Sequence, residues 1–179
     1  PLVEKIGCTT EGSRQFLPAS KLVVTGYPVR ADLRAAMSTT VEEARAHFGL
    51  SPHRPTLFVF GGSRGAQSIN QGLMPILPQL LTFTQVIHIS GTLTWAETEA
   101  AAQALPPDLR QWYRPYPYLH DEMGLAFRSA DLVIARAGAS MLGECPAFGL
   151  PAILIPYPHA WRYQKVNADY LVDHNAGIR

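Results

Sequence analysis

The feature that most constrains this chain is a regular alternation between short apolar runs, rich in β-branched and aromatic residues, and longer amphipathic stretches. The apolar runs predict strands over residues 3–8, 22–25, 56–60, 85–89, 131–135 and 152–155. The amphipathic stretches predict helices over residues 41–48, 66–81, 95–104, 121–128, 140–148 and 162–174. The central runs are almost wholly apolar, as is typical of parallel strands covered on both faces. The pattern therefore predicts an α/β fold with a doubly wound, mostly parallel sheet.

Composition narrows the class of protein further. Hydrophobic residues make up 47% of the 179 residues, charged residues only 16%, and the formal net charge is +1. This excludes intrinsic disorder and argues against a nucleic-acid partner, which requires a basic surface. No apolar run approaches the roughly 18 residues of a membrane-spanning helix. Cys8 and Cys145 are far apart, so we expect neither a disulfide framework nor a zinc site, and a reducing, cytoplasmic setting.

The two ends of the chain suggest a piece of a longer protein. Pro1 is not followed by a charged and then apolar leader, so no signal peptide is expected. Residues 171–179 have the pattern of a helix end, a glycine stop at Gly177 and the start of another strand. We therefore expect the last element to be unfinished and the chain to be a fragment. Pro75 and Pro78 are expected to shorten or kink the helix over 66–81.

In doubly wound folds, ligands bind outside the carboxyl ends of the strands, which selects the loops after Val24, Phe60, Ala135 and Ile155. The loop after Phe60 reads Gly-Gly-Ser-Arg-Gly. Its glycines allow close approach of the backbone, and the following helix start can bind phosphate. Gly62, Ser63 and Gly65 are thus candidate phosphate-binding residues. The alternative is a tight turn without a ligand.

The same glycine turn is also found in nicotinamide-dependent dehydrogenases. Such sites place an acidic residue for the ribose about 20 residues further on, at the end of the next strand. Residues 87–91 contain no Asp or Glu there, and the chain has no Tyr-x-x-x-Lys pair. A dehydrogenase is therefore the less favoured reading.

A second small-residue loop precedes the helix predicted over 140–148, and its candidate ligand-binding residues are Gly138, Ala139, Ser140 and Met141. Glu144 lies about one turn inside this helix. A carboxylate there can accept hydrogen bonds from two vicinal hydroxyls, such as a ribose diol. The alternative for Glu144 is favourable interaction with the helix dipole. Two glycine-rich loop–helix junctions in one domain favour a nucleotide.

The remaining two loops supply polar groups of other kinds. Gln164 and Asn167 share a helix face, and their amides suit sugar hydroxyls. Arg30, after a Gly-Tyr-Pro-Val turn, can meet a phosphate or stack on a base, or simply be solvated. Leu119 can contact a base edge or pack in the core. His159 is expected to be structural, and the histidines show no metal-ligand spacing.

Taken together, five motifs resemble, in order, those of the MurG family of peptidoglycan N-acetylglucosaminyltransferases. They are residues 25–30, 60–66, 136–140 with Glu144, 149–158 and 164–168. The resemblance implies the Rossmann-like half of a two-domain GT-B glycosyltransferase. It implies that residues 1–20 are an interdomain segment or the end of the acceptor domain. Residues 21–179 would then form the UDP-sugar donor-binding domain, incomplete at its carboxyl end.

The family transfers N-acetylglucosamine from UDP-N-acetylglucosamine to lipid I, an undecaprenyl-linked muramyl-pentapeptide, and so forms lipid II with inversion. It acts in peptidoglycan synthesis as a peripheral protein at the cytoplasmic face of the bacterial membrane. The resemblance implies that the glycine loop holds the diphosphate, Glu144 the ribose, Arg30 and Leu119 the uracil, and Gln164 and Asn167 the sugar. No cofactor or metal is implied, in line with the lack of an Asp-x-Asp sequence. The catalytic base is expected on the other domain.

Four positions depart from the family pattern, namely Tyr27, Arg64, Met141 and Tyr163. At Met141 and Tyr163, side-chain contacts do not carry over from the family, whereas backbone contacts can. Three other readings stay open. They are another UDP-sugar-dependent glycosyltransferase with a lipid acceptor, a sugar-nucleotide epimerase, and a non-catalytic UDP-sugar-binding module.

Overall fold

The computed structural model describes residues 3–62, 66–158 and 163–179. The strands are β1 (Ile6–Cys8), β2 (Leu22–Val24), β3 (Thr56–Phe60), β4 (Gln85–Ile89), β5 (Tyr113–Tyr116), β6 (Leu132–Ala135), β7 (Ala152–Leu154) and β8 (Gly177–Ile178). The α-helices are α1 (Ala31–Ala36), α2 (Val41–His47), α3 (Gln67–Leu73), α4 (Leu77–Leu80), α5 (Trp95–Ala104), α6 (Pro107–Arg110), α7 (Met123–Ser129), α8 (Met141–Phe148) and α9 (Tyr163–Asp173). Two 3₁₀ helices cover Glu11–Gln15 and Thr92–Thr94.

Six strands form one wholly parallel sheet in the order β5-β4-β3-β6-β7-β8. The chain runs outward from β3 to β5, then returns to the other side of β3 and continues outward from β6 to β8. The strand order therefore reverses between β3 and β6, and the crevice at their carboxyl ends is the usual ligand position in such sheets. The predicted doubly wound α/β fold is confirmed, as is a strand at the carboxyl end of the chain.

The strand predicted over residues 22–25 is present as β2, but it belongs to a different sheet from the one we expected. We expected the loop after Val24 to leave the same sheet as the other three loops, but β1 and β2 form a separate two-stranded parallel sheet. Val23 and Val24 are 43% and 39% exposed, so this apolar run does not enter the core. Three apolar residues predict a strand but do not determine which sheet it joins, because that depends on tertiary packing.

The prolines act as predicted on the helix over 66–81, which is divided into α3 and α4. Pro75 lies between the two helices, and Pro78 occupies the first turn of α4, where a missing N–H costs no hydrogen bond. Sequence patterning missed α1, α6 and β5. The last contains Pro115, which an edge strand tolerates because one side of its backbone is unpaired.

Helices cover both faces of the sheet, and each face has its own apolar core. On one face the rings of Phe58 and Phe60 meet Phe127 of α7 edge-on, with centroids 5.3 and 5.6 Å apart. On the other, Val59 and Val86 pack with residues of α3, α4 and α5. Because both faces of β3 and β4 are buried, these strands could be predicted from apolar runs alone.

A buried arginine holds the amino-terminal edge of the sheet. Arg45 of α2 is 6% exposed and donates to the carbonyls of Ser129 (3.0 Å) and Pro52 (2.6 Å) and to the Asp131 carboxylate (2.6 Å). The same Asp131 oxygen accepts the backbone N–H of Thr56 at 2.7 Å. This cluster joins α2, the end of α7 and the starts of β3 and β6.

A second polar cluster lies between the sheet and α3, around the fully buried His88 of β4. Asn70 of α3 donates to the Ser90 carbonyl (2.8 Å) and to Thr94 Oγ1 (2.7 Å), so its Oδ1 faces His88 Nε2 at 3.0 Å. That nitrogen must then carry the proton, and Nδ1 accepts from the Tyr113 hydroxyl at 2.7 Å. Burial lowers the pKa of His88 to about 4, so the ring is neutral.

This histidine predicts a loss of stability in mild acid. The unfolded chain takes up a proton as the pH falls below about 6.5, whereas folded His88 takes it up only near pH 4. His88 therefore leaves the free energy of unfolding unchanged above pH 6.5 and lowers it increasingly from pH 6.5 down to 4. At pH 5 the free energy of unfolding is lower by about 2 kcal/mol. Urea unfolding at pH 7 and pH 5 should show this drop for the parent chain and a smaller one for His88→Gln. Tyr113→Phe, which keeps the histidine, should retain the drop; equal drops in all three chains would contradict the assignment.

Candidate functional site

A cleft of about 240 Å³ lies at the carboxyl edge of the sheet. Phe60 and Ile89, the last residues of β3 and β4, form part of its wall, which places it beside the point where the strand order reverses. The described residues that line it are Arg30, Phe60, Gly62, Ile89, Tyr118, Leu119, Met123, Ser140 and Glu144. Of the predicted site residues, Arg30, Gly62, Leu119, Ser140 and Glu144 are thus brought together from four separate segments.

The glycine loop after β3 contributes Gly62 to this cleft. Gly62 has φ +88°, a left-handed conformation that side-chain-bearing residues rarely adopt, so the turn requires glycine. Ala66 is the N-cap of α3, and its methyl side chain makes no cap hydrogen bond. The predicted residues Ser63 and Gly65 lie outside the described residues, as does His159.

The loop after β6 leads into α8, where the second group of predicted residues lies. Ala139 is exposed, and Gly138 has open space where a Cβ would be. The side chain of Met141 is 1% exposed and belongs to the core, so only its backbone can face a ligand. A ligand can therefore contact only the backbone of Met141, whereas exposed Ala139 is accessible to it.

Glu144 is partly buried in the wall of the cleft, and the Ser140 hydroxyl donates to its Oε2 at 3.0 Å. Burial raises the pKa of Glu144, while the Ser140 hydrogen bond and the charge of Arg30 oppose that rise and the charge of Asp32 adds to it. A carboxylate in this setting is a strong acceptor for ligand hydroxyls, because few waters compete for it.

Arg30 reaches the cleft through a close backbone contact that sequence reasoning missed. A Cβ placed on Gly143 of α8 would lie 2.7 Å from the Tyr27 carbonyl oxygen, so glycine allows residues 25–30 to pack directly on this helix. Arg30 then begins α1, forms a 3.2 Å ion pair with Asp32 and keeps 58% of its side chain exposed. A glycine inside a helix, unfavourable for helix formation, was the available signal.

Gln164 and Asn167 bind neighbouring loops and are not among the residues that line the cleft. Gln164 Oε1 accepts from the backbone N–H of Tyr157 at 2.8 Å, and Asn167 Nδ2 donates to the Ala137 carbonyl at 3.0 Å. Among the described residues, no protein group bonds to the Gln164 amide nitrogen or the Asn167 amide oxygen. The pair lies beside the loops after β6 and β7.

Arg136, directly after β6, is a further polar residue at the carboxyl edge of the sheet that the sequence analysis did not single out, although it is not among the described residues that line the cleft. It donates to the Ile155 carbonyl (3.0 Å) and to Ser68 Oγ (2.6 Å), and its guanidinium lies 5.3 Å from the centre of the Tyr157 ring. It thereby connects the loops after β6 and β7 to α3. Burial lowers its pKa, with the charge of Tyr157 opposing. A basic residue directly after a buried strand was the signal for it.

Across residues 3–62, 66–158 and 163–179, no three side chains of His, Cys, Asp and Glu are grouped so that they could hold a metal ion. None of the helices in this described part is both long enough and apolar enough to cross a membrane.

Residues 56–179 match the glycosyltransferase family 28 C-terminal domain. The chain belongs to this family. The match begins with β3 and includes the whole six-stranded sheet and the described cleft residues other than Arg30.

Two curated relatives of this family 28 chain share the name UDP-N-acetylglucosamine--N-acetylmuramyl-(pentapeptide) pyrophosphoryl-undecaprenol N-acetylglucosamine transferase. The relative from Roseiflexus sp. is 44% identical in an alignment of 174 positions that covers 89% of this chain and 38% of the relative. The relative from Acidothermus cellulolyticus is 42% identical in an alignment of 161 positions that covers 87% of this chain and 42% of the relative. The chain thus spans less than half the length of these relatives.

Solved structures place this family 28 chain in the GT-B architecture. Acinetobacter baumannii MurG matches 98% of the chain and 46% of its own length, with a TM-score of 0.72 and 27% identity. The glycosyltransferase SnogD from Streptomyces nogalater matches 95% of the chain, with a TM-score of 0.54 and 18% identity, which supports the fold alone. The chain has the fold of the Rossmann-like α/β half of such enzymes.

Proposed function

We propose that this chain is the donor-binding half of an inverting transferase that moves N-acetylglucosamine from UDP-N-acetylglucosamine to lipid I, forming lipid II for peptidoglycan. The relatives' shared name supports the reaction. The observation that carries the proposal is the cleft where the strand order reverses, with Arg30 and Glu144 as the charged side chains in its described lining. This pair suits a nucleotide, because the carboxylate can bind the ribose diol and the guanidinium can bind the base or a phosphate.

The nucleoside end of the donor fits the described lining of the cleft. Glu144 would accept hydrogen bonds from the two ribose hydroxyls. Leu119, which is buried, and Arg30, which is largely exposed, would contact the uracil. The apolar wall of Phe60 and Ile89 would cover the ring.

The diphosphate would lie between the two loop–helix junctions. Gly62, Ser63 and Gly65 would hold it from the loop after β3, and the backbone of residues 138–141 would hold it from the start of α8. Backbone N–H groups aimed at the diphosphate stabilise the charge that develops on the departing UDP without a metal ion. Gln164 and Asn167 would read the sugar hydroxyls through the amide ends that their loop contacts leave available.

The remaining parts of the reaction are assigned to the rest of the protein. We infer that residues 1–20 end an acceptor domain or join it to this one, and that residues 21–179 form the donor domain. The catalytic base, the undecaprenyl-linked acceptor and the membrane contact belong to that other domain. The complete enzyme would be a peripheral protein at the cytoplasmic face of the bacterial membrane, with roles in cell-wall synthesis, cell shape and division.

Calorimetry with UDP-N-acetylglucosamine, UDP-glucose, UDP and NADH tests the proposal. We expect UDP and UDP-N-acetylglucosamine to bind with a Kd of about 10–100 μM, an affinity reasonable for a ligand of this size in half of a cleft. NADH should not bind, and the chain alone should not convert lipid I. Tight binding of NADH without binding of UDP, or turnover of lipid I by the isolated chain, would contradict the proposal.

A further inference from the structure

Ser140 occupies the N-cap position of α8 but does not cap it. A capping serine has an extended backbone and accepts a hydrogen bond from the second or third N–H of the helix. Ser140 has a helical backbone, with φ −62° and ψ −27°, and makes no side-chain cap bond. Thr40 shows the contrast in the same chain, since it is extended and forms a full capping box with Glu43 at the start of α2.

The hydroxyl of Ser140 is used instead on the acid of the cleft. It donates to Glu144 Oε2 at 3.0 Å, and both residues line the same 240 Å³ cleft. The helix that carries them is fixed in place, because Gly143 packs against the Tyr27 carbonyl oxygen. The charged groups that act on Glu144 are Arg30 and Asp32, which have opposite effects on its pKa.

We propose that Ser140 is a positioning residue that makes the cleft selective for ribonucleotides over 2′-deoxyribonucleotides, by holding the Glu144 carboxylate ionised and turned toward the ribose diol. This inference rests on the proposed function and adds to it the origin of sugar selectivity. It differs from the phosphate-binding role considered above for the backbone at residues 138–141, because it assigns the side chain of Ser140.

The chemistry of a carboxylate supports this role. Its two oxygens offer about four lone-pair directions, of which Ser140 uses one, so the two bonds to a diol remain available. The hydroxyl bond also offsets part of the burial that favours the protonated acid. Without it, Glu144 gains rotational freedom, and its bonds to the diol lose part of their charge assistance. A ligand with a single hydroxyl on that ring depends less on this arrangement.

The test compares UDP with 2′-deoxy-UDP by calorimetry on the parent chain, Ser140→Ala, Ser140→Thr and the control Ser38→Ala. Ser38 is an exposed serine just after α1 and is not among the described residues that line the cleft. The parent chain should prefer UDP. Ser140→Ala should weaken UDP binding about fivefold, as expected for one hydrogen bond, and weaken 2′-deoxy-UDP binding clearly less. Ser140→Thr, which keeps the hydroxyl, should restore the preference, and Ser38→Ala should match the parent chain.

The pKa of Glu144 is also measured without ligand, in the parent chain and in Ser140→Ala. Carbon NMR of the Glu144 carboxyl during a pH titration should show a higher pKa in Ser140→Ala than in the parent chain. Equal weakening of both nucleotides, an unchanged preference, or an unchanged pKa of Glu144 would overturn the role of Ser140 while leaving the proposed function in place. Failure of the parent chain to bind UDP would instead overturn the proposed function, and the selectivity inference with it.

Discussion

Glutamine in place of Glu144 is expected to weaken UDP binding by about 30- to 100-fold. Glutamine keeps the size of the side chain but replaces two acceptor oxygens by one acceptor and one donor. It therefore removes the charge-assisted bonds to the ribose hydroxyls, each stronger than a neutral bond by about twofold. The loss should be much smaller for 2′-deoxy-UDP, which presents only one of the two hydroxyls.

The same substitution should make the fold slightly more stable at pH 7. Burial raises the pKa of Glu144, so the folded state favours the protonated acid. The contribution of this group to stability is fully present below its unfolded pKa and is lost as the pH rises through the folded pKa. Because glutamine carries no charge, Glu144→Gln does not lose this stability as the pH rises.

Calorimetry and thermal unfolding at pH 7 check both effects, with Glu99→Gln on the exposed face of α5 as the matched control. The control should bind UDP and unfold as the parent chain does. Parent-like UDP affinity in Glu144→Gln would show that the acid does not contact the nucleotide. A lower melting temperature in that variant would show that burial of the charge is fully compensated.

Methionine in place of Arg45 is expected to lower the free energy of unfolding by about 2–4 kcal/mol, the largest effect on stability that the structure predicts. Methionine fills much of the same volume, but the carbonyls of Pro52 and Ser129 lose their donor and Asp131 loses its cation. Asp131 keeps its bond to the Thr56 N–H and is partly exposed, which limits the loss.

Urea unfolding of Arg45→Met at pH 7 measures this loss, with the exposed Arg34→Met of α1 as the control, for which we expect less than about 0.5 kcal/mol. UDP affinity should be unchanged in Arg45→Met, because the arginine lies at the opposite edge of the sheet from the cleft. Parent-like stability would mean that the buried ion pair is no stronger than the apolar packing that replaces it.

The sequence by itself predicted the central strands of the sheet and the edge of the sheet where the cleft lies. β3 and β4 were predicted to the residue, because a strand covered on both faces must be apolar throughout and glycine must follow where the chain turns. The loops after Phe60 and Ala135, together with Glu144, followed from the rule that ligands bind at the carboxyl ends of parallel strands. These are local patterns, and local patterns can be read along the chain.

Only the tertiary structure decided how the other parts meet. Residues 25–30 leave a strand outside the main sheet and still reach the cleft, because Gly143, more than a hundred positions away, leaves room for the Tyr27 carbonyl oxygen. The hydrogen bond that turns Ser140 away from capping is likewise visible only in three dimensions. Such contacts form or fail when the distance between two segments far apart in the chain changes by a few tenths of an ångström. Residue type alone does not fix those distances.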